Sequence, residues 1–193
     1  MPVNLLPQDG EVLYYPDCIP AESCDQLFNE LIQNIPWQQD AMEIYGRKVD
    51  FPRLTAWIGD DGRVYAYSGI TNEPKPWTPA LLQIKQIVEK LSGRTFNSAL
   101  LNYYRSGNDS MGWHSDNEKE LGVNPCIASV SLGQARKFSL KHKAVKGLII
   151  HKVLSNGSLL LMQGETQHHW LHQVPKTKQL VDARINITFR EIL

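Results

Sequence analysis

Two stretches of the chain repeat apolar residues at the three- and four-residue spacing of an amphipathic helix. The first helix is predicted over about residues 21–34, and Pro36 is expected to end it. Its apolar stripe consists of Cys24, Leu27, Phe28, Leu31 and Ile35. The second helix is predicted from Pro79 to about Ser92, with Thr78 as its cap and Gly93 at its exit. Its apolar stripe consists of Leu81, Ile84, Val88 and Leu91.

From about residue 98 the pattern changes to short runs of strand-forming residues separated by turn-like segments. Strands are predicted at residues 99–105, 127–132, 136–141, 147–153, 158–163 and 184–190. Many short strands in series are typical of a sandwich or a jelly-roll barrel. The sequence therefore predicts a single α+β domain that is mainly β, with the two early helices packed on one outer face.

The last predicted strand, RINITFR, alternates completely between apolar and polar residues. Its polar face consists of Arg184, Asn186, Thr188 and Arg190. The two arginines lie roughly 20 Å apart along a strand that rises ~3.3 Å per residue. Their long side chains can still converge on a dicarboxylate, which the guanidinium fork binds well. Asn102 and Tyr104 share one face of residues 99–105 and can add hydrogen bonds. An outward, solvated face with structural arginines fits the same alternation.

A His-x-Asp pair, His114 and Asp116, places an imidazole and a carboxylate on one side of an extended segment. With a second imidazole these groups would form a 2-His-1-carboxylate triad, which leaves positions on Fe(II) open. The third ligand is expected in HHWLH, and spacing does not choose among His168, His169 and His172. A loop histidine hydrogen-bonded to a nearby aspartate is the alternative. His142 and His151, in a basic segment, are expected at the surface.

Charge is balanced overall but unevenly distributed along the chain. Residues 1–43 hold eight acids and no Lys or Arg, whereas residues 121–164 hold no acids and six basic residues. The basic segment either forms a face for nucleic acid or neutralises the acidic one. Three cysteines without a CxxC pair suit a reducing compartment. With no signal-like or membrane-spanning stretch, we expect an intracellular protein, cytoplasmic or, in a eukaryote, nuclear.

Three segments together resemble the AlkB family of Fe(II)- and 2-oxoglutarate-dependent alkylation-repair dioxygenases. They are NYYRSGNDSMGWHSD, HHWLHQVP and RINITFR, which match the family pattern in order and spacing. IASVSLG and GSLLLM are similar to the family's core strands, and PRLTAWIGD and VYAYSG to its base-binding region. The resemblance covers roughly residues 40–193. It implies a double-stranded β-helix (jelly-roll) core at 96–193, a nucleotide-recognition region at 40–95 and an extension at about 1–39.

The resemblance also implies the residues of the site. The iron ligands would be His114, Asp116 and His172. Arg184 would bind the distal carboxylate of 2-oxoglutarate, with Tyr104 and Asn186 nearby. Arg190 and Asn102 would lie at the end of 2-oxoglutarate next to the metal. Substrate contacts would come from Tyr65 and Tyr67 beside a flipped base, from Glu118 at the base edge and from Tyr45 as a hairpin wedge. Alternatively, Tyr65 and Tyr67 belong to an ordinary strand and Glu118 is a solvated acid. Tyr45 would then lie at a plain hairpin tip.

The function implied by the resemblance is oxidative demethylation of 1-methyladenine and 3-methylcytosine in DNA. Fe(II) would be the cofactor, 2-oxoglutarate and O₂ the co-substrates, and formaldehyde, succinate and CO₂ the products. The expected partner is nucleic acid with alkylated bases, with neither a membrane nor an obligate protein partner. The same chemistry on methylated RNA or a protein side chain is the alternative. A non-catalytic nucleic-acid-binding module that uses the basic segment is a third interpretation.

Overall fold

The computed structural model describes residues 2–44, 46–60, 65–67, 70–72 and 74–193, with the backbone alone at 43–44, 65–67 and 70–72. The helices of these residues are α1 (Ala21–Asn34), α2 (Pro79–Ser92) and the single turn α3 (Thr166–His169). The strands are β1 (Glu11–Tyr15), β2 (Ala41–Ile44), β3 (Arg47–Asp50), β4 (Leu54–Gly59), β5 (Tyr65–Tyr67), β6 (Ile70–Asn72), β7 (Ser98–Tyr104), β8 (Met111–His114), β9 (Ile127–Gly133), β10 (Arg136–His142), β11 (Ile149–Leu154), β12 (Ser158–Gln163), β13 (Trp170–Val174) and β14 (Arg184–Arg190).

Two antiparallel sheets pack face to face. The larger sheet has the order β1-β12-β9-β14-β7-β4 and the smaller one the order β11-β10-β13-β8. Hairpins β2-β3 and β5-β6 form two further pairs. From β7 to β14 the chain crosses between the two sheets at every connection except the one between β10 and β11, as in a jelly roll, so the predicted mainly β fold is confirmed. None of the described helices is both long and apolar enough to cross a membrane.

The helices cover the outer face of the larger sheet, as the periodicity predicts. Cys24, Leu27 and Leu31 of α1 join the same buried cluster as Ile84 and Val88 of α2 and the apolar residues of the sheet. The Thr78 side chain accepts a hydrogen bond from the Leu81 backbone, and Gly93 ends α2 in the left-handed conformation. The predicted stripe is wrong at one position, because Leu91 is 42% exposed in the last turn.

The inner face of the larger sheet is polar where β14 crosses it. All seven residues of β14 are buried, so the alternative of a solvated outer face is wrong. Ile185, Ile187 and Phe189 pack against the helix side. The polar side chains of β14 therefore project between the two sheets, where Asn186, Thr188 and Arg190 line a cavity together with Phe138 and His172 of the smaller sheet.

Several strands have no clear signal in the sequence, among them β1, β4, β8 and β13. In β8 and β13 the residues that point inward include His114 and His172, which face each other across the ladder. Polar residues on the buried side remove the hydrophobic alternation from which a strand is predicted. Strand β1 lies in the acidic N-terminal segment and pairs with β12 at the edge of the larger sheet.

The turn before β12 packs closely against α1 and the residues that precede it. Gly157 has φ 73°, and a Cβ there would lie 2.7 Å from the Ile19 carbonyl oxygen and 2.9 Å from Cys24 Sγ. Gly147 has a similar φ of 81° but open space where a Cβ would be. Substitutions at these two positions therefore share the backbone strain but differ in steric contact.

We expect Gly157→Ala to lower the free energy of unfolding more than Gly147→Ala. Both substitutions carry about 1 kcal/mol of left-handed strain. Gly157→Ala adds the overpacking of a filled site, roughly 1–3 kcal/mol. Urea unfolding followed by circular dichroism measures both variants, and equal losses would contradict the steric argument.

Candidate active site

Three metal-ligating side chains meet at the inner end of the β8–β13 ladder. His114 ends β8 opposite His172 of β13, and Asp116 follows two residues later. The imidazole centroids lie 4.1 Å apart, and Asp116 Oδ2 lies 3.7 Å from His172 Nε2. One ligand atom from each residue lies within 4.8 Å of the others. Of the three histidines that spacing left open, the geometry thus favours His172, while His168 is exposed.

Hydrogen bonds orient two members of this triad. His114 Nδ1 lies 2.9 Å from the Gly112 carbonyl oxygen, which can only accept, so Nδ1 carries the proton. The Nε2 lone pair of His114 is thereby left for a metal. Arg190 Nη2 donates to Asp116 Oδ1 at 2.6 Å, and Oδ2 remains directed toward His172.

The protonation states fit a divalent cation. Burial, reinforced by His114, lowers the pKa of His172 to about 3. Burial also lowers the pKa of His114, against the opposing effect of Asp116. For Asp116, burial alone would raise the pKa, but the charge of Arg190, the two imidazoles and the hydrogen bond from Arg190 together outweigh burial and lower the pKa. Two neutral imidazoles and one carboxylate are the donor set of a facial Fe(II) site, so these residues fit that ion.

A second cluster of the described residues has the same donor types, at Asp9, His142 and His169. Its hydrogen bonds differ, because His142 Nδ1 accepts from the backbone amides of Ala144 and Val145 at 3.2 and 2.9 Å. The proton of the neutral ring is therefore on Nε2, which donates to Asp9 Oδ2 at 3.0 Å. The lone pair that a metal would need is absent, and the cluster ties the N-terminal segment to β10.

His142 also corrects an expectation drawn from the sequence. Its exposed fraction is only 5%, so it is not a surface residue, whereas His151 is exposed as expected. Surface exposure was predicted for His142 because it lies between Lys141 and Lys143 in the sequence. The pairing of His142 with Asp9, 133 positions away, could not be foreseen from local pattern.

A cavity between the sheets extends from the triad along the polar face of β14. Its lining residues include Asn102, Tyr104, Ser129, Asn186, Thr188 and Arg190. Asn186 donates to Ser129 Oγ at 2.7 Å and to the Val130 carbonyl oxygen at 3.0 Å. Thr188 donates to Asn186 Oδ1 at 3.1 Å. These bonds hold the polar side chains in fixed positions along the cavity wall.

Arg184 lies at the opposite end of β14 from Arg190. Its guanidinium is buried, and Nη2 donates to Ser131 Oγ at 2.9 Å. Nε and Nη1 are buried without a hydrogen-bond partner among the described residues. The Tyr104 ring lies 5.2 Å from Arg184 Cζ and 5.8 Å from Arg136 Cζ. A buried cation with free donors is the expected environment for a bound carboxylate.

Asn102 has a partner that the sequence did not suggest. Arg53 Nε donates to Asn102 Oδ1 at 2.7 Å, and the Arg53 guanidinium lies 4.8 Å from the Phe51 ring centroid. Arg53 is 4% exposed although it lies in PRLTAWIGD, where no strand was predicted. A buried arginine next to a proline carries no periodic signal, so sequence reasoning missed it.

An open groove leads to the triad from outside. Its apolar lining comes from hairpin β2-β3, the residue after it and β8, at Met42, Val49, Phe51, Met111 and Trp113. His114 and Met111 line both this groove and the inner cavity. A molecule in this groove would reach the metal-ligating triad, and the polar cavity along β14 lies behind the triad.

The expected substrate residues are described only in part. Tyr45 lies outside the described residues. Tyr65 and Tyr67 belong to β5, which pairs with β6, but their side chains lie outside the described part. Glu118 precedes a 3₁₀ turn after Asp116, and its Oε2 is buried without a hydrogen-bond partner among the described residues.

The fold and the triad define the class of non-haem iron oxygenases with a jelly-roll core. The chain matches the model of the 2OG-Fe(II) oxygenase superfamily over residues 11–190. It is 38% identical over 179 residues to human "DNA oxidative demethylase ALKBH2", covering 88% of this chain and 69% of the relative. It is 40% identical over 192 residues to human "Alpha-ketoglutarate-dependent dioxygenase alkB homolog 3", covering 95% and 66%. This chain therefore belongs to the AlkB family of 2-oxoglutarate- and Fe(II)-dependent oxygenases.

Two further comparisons set the limits of the likeness. Bovine "DNA oxidative demethylase ALKBH2" is 38% identical over 179 residues, with 88% of this chain and 64% of the relative covered. The chain thus spans about two thirds of the length of these curated relatives. The solved structure of OsALKBH1 superposes with a TM-score of 0.65 at 16% identity, covering 96% of this chain and 99% of that chain, which shows the shared fold.

The low pKa of His172 predicts how the stability of the metal-free protein depends on pH. The folded state resists protonation down to about pH 3, whereas an unfolded histidine binds a proton below pH ~6.5. The unfolded state then holds more protons, so the contribution of His172 is complete above pH ~6.5 and is lost as pH falls from there. The slope for one such group is at most about 1.4 kcal/mol per pH unit.

Urea unfolding of the metal-free protein between pH 7.5 and 5 tests this expectation. We expect His172→Leu to flatten the decline of the unfolding free energy, and His168→Ala, an exposed control, to leave it unchanged. A decline in the His172→Leu protein as steep as in the wild type would show that another group is responsible.

Proposed function

We propose that this protein removes N-linked alkyl groups from bases in DNA by oxidative demethylation, with 1-methyladenine and 3-methylcytosine as substrates. The observation that carries the proposal is that His114 and Met111 line both the open apolar groove and the polar cavity along β14, so the two meet at the metal-ligating triad. Relatives named as DNA oxidative demethylases support the choice of DNA. Such a substrate also locates the protein in the cytoplasm or, in a eukaryote, the nucleus.

His114, Asp116 and His172 would hold Fe(II), which supplies the oxidising chemistry with 2-oxoglutarate and O₂ when bound. Arg184 would bind the distal carboxylate of 2-oxoglutarate through its unpartnered Nε and Nη1, with Tyr104 and Asn186 beside it. Arg190 and Asn102 would serve the metal-proximal end. Apolar residues that also line the cavity, among them Leu100, Phe138 and Met162, would limit the access of water to these charged groups and so strengthen their interactions.

The groove suits a base that has left the helix stack. A flipped base presents a flat apolar ring and a polar edge, and side chains such as Met42, Phe51 and Trp113 offer apolar contact. Tyr65 and Tyr67 would add aromatic faces, each worth about 1–3 kcal/mol per stacked base. The unpartnered Glu118 Oε2 would accept from the exocyclic amine of the cationic lesion. Tyr45, which lies between β2 and β3 in the sequence, would fill the gap left in the duplex.

The outer face of the smaller sheet offers a place for the flanking phosphates. Lys137 and Lys141 point outward from β10, and Lys141 Nζ lies 4.8 Å from the Trp113 ring centroid, beside the groove. No acidic residue occurs between positions 121 and 164. A strand whose damaged base enters the groove would therefore run along a face without acids in this segment.

The direct test is loss of a methyl group from defined substrates. The protein, loaded anaerobically with Fe(II), receives O₂, 2-oxoglutarate and an oligonucleotide carrying 1-methyladenine or 3-methylcytosine, and mass spectrometry follows the products. We expect demethylation that requires both iron and 2-oxoglutarate, with formaldehyde and succinate formed together. Asp116→Ala should abolish it, whereas His168→Ala should not.

Parallel reactions separate the alternatives. Methylated duplex DNA, single-stranded DNA, RNA and methylated peptides are compared at equal concentration. Faster turnover of RNA or a peptide than of either DNA would contradict DNA as the substrate while leaving the oxygenase intact. Wild-type activity in Asp116→Ala would overturn the proposed iron ligand.

We expect Lys141→Ala to weaken DNA binding and to lower the slope of log K against log salt by about 1, as for one lost phosphate contact. Lys90→Ala is the matched control, because Lys90 is exposed on α2, which covers the outer face of the larger sheet. Fluorescence anisotropy with a labelled duplex between 50 and 200 mM salt gives both slopes. A Lys141→Ala slope equal to that of Lys90→Ala would exclude this phosphate contact.

A further inference from the structure

Gln167 is a buried polar residue next to the metal centre for which the proposed chemistry has no role. It lies on the single turn α3, and its exposed fraction is 0%. Its Oε1 accepts a hydrogen bond from the Asp116 backbone N–H at 2.9 Å. Because that N–H can only donate, the amide orientation is fixed, and Nε2 faces Met162 Sδ at 3.7 Å. Met162 itself lines the co-substrate cavity.

The turn that carries Gln167 is held from both sides. Thr166 Oγ1 accepts from the Glu11 backbone N–H at 2.9 Å, which attaches α3 to β1. On the other side, Lys143 Nζ donates to the Gln167 carbonyl oxygen at 2.8 Å and to Ser115 Oγ at 3.1 Å. The segment Ser115–Asp116 is therefore attached to α3 at two adjacent points.

This attachment matters because Asp116 lies beyond the end of a strand. Strand β8 ends at His114, so no ladder hydrogen bond is available to fix the backbone of Asp116. Arg190 holds its carboxylate from one side, by donating to Oδ1. A second point of attachment is needed to set the direction of Oδ2, and Gln167 supplies it at the backbone.

We propose that Gln167 is a positioning residue for the metal centre, which holds Asp116 so that its free carboxylate oxygen points at the site shared with both histidines. The proposal rests on the metal site and is independent of the substrate. Outer residues that orient metal ligands typically change metal affinity by 10–100-fold when replaced. Gln167→Met, which keeps the length and removes the acceptor, should therefore weaken metal binding by about 10–100-fold.

Metal affinity is measured directly, without turnover. Mn(II), a redox-stable probe for the Fe(II) site, is titrated into the metal-free full chain under argon, and electron paramagnetic resonance reports free Mn(II). We expect the Mn(II) dissociation constant to rise about 10–100-fold in Gln167→Met. The exposed neighbour His168→Ala should bind Mn(II) as the wild type does.

Two conservative variants separate positioning from packing. Gln167→Glu retains an oxygen that can accept from the Asp116 N–H and should stay close to wild-type affinity. Gln167→Asn withdraws the acceptor by one methylene and should behave like Gln167→Met. These two variants carry the test if Gln167→Met does not fold, which circular dichroism establishes beforehand.

The outcomes are distinct from those of the demethylation assay. A folded Gln167→Met with wild-type Mn(II) affinity would overturn the proposal, as would a loss in Gln167→Glu equal to that in Gln167→Asn. Activity gives a second readout, because a positioning defect should raise the Fe(II) concentration for half-maximal rate more than it lowers the rate at saturating Fe(II). If no tested substrate is demethylated, succinate formation without nucleic acid provides that rate.

Discussion

The buried ion pair between Arg190 and Asp116 is the interaction on which the site depends. Both side chains are 2% exposed, and Nη2 and Oδ1 lie 2.6 Å apart. Burial alone would favour the neutral carboxyl, and the charge of Arg190 is the largest of the effects that keep Asp116 charged and available as a ligand. Removing one partner of such a pair leaves an uncompensated buried charge, which typically lowers the free energy of unfolding by about 3–5 kcal/mol. The last strand is therefore both a structural element and part of the metal centre.

This pair explains why a charged strand can lie at the middle of the larger sheet. Strand β14 pairs with β7 on one side and β9 on the other, so its backbone is fully bonded. Its apolar face meets the helices, and its polar face meets the cavity. A strand with two buried faces of opposite character is stable only if each polar group has a partner, from the protein or from a ligand. Ser131, Ser129 and Asp116 supply such partners.

The sequence predicted elements well where burial follows periodicity. Helix α2 begins at Pro79 and ends before Gly93, as Thr78 and Gly93 indicate. The predicted strand at residues 184–190 has the same bounds as β14. Strands β8 and β13 were missed because the histidines that face the interior break the alternation. The same two histidines belong to the metal-ligating triad. Secondary structure was therefore hardest to predict from the sequence in the segments that carry the candidate metal ligands.

Side-chain partners were beyond the reach of local pattern. Arg53 and Asn102 are 49 positions apart, and Gln167 and Asp116 are 51 apart. Arg53 lies in PRLTAWIGD and Gln167 directly precedes HHWLHQVP, but neither residue was assigned a role, since their roles depend on which strands become neighbours. Motif residues could be named because resemblance to a family supplies that topology. The residues that support them become visible only once the ladder between β8 and β13 is known.

The two histidine clusters show why donor type and distance do not define a metal site. In both clusters one ligand atom from each residue lies within 4.8 Å of the others. The clusters are Asp9, His142 and His169, and His114, Asp116 and His172. The difference lies in one atom of each ring. Gly112 accepts the proton of His114 Nδ1 and leaves a lone pair on Nε2, whereas two backbone amides occupy His142 Nδ1 and place the proton on Nε2. The backbone around each imidazole, through the tautomer it selects, decides which cluster can bind a cation.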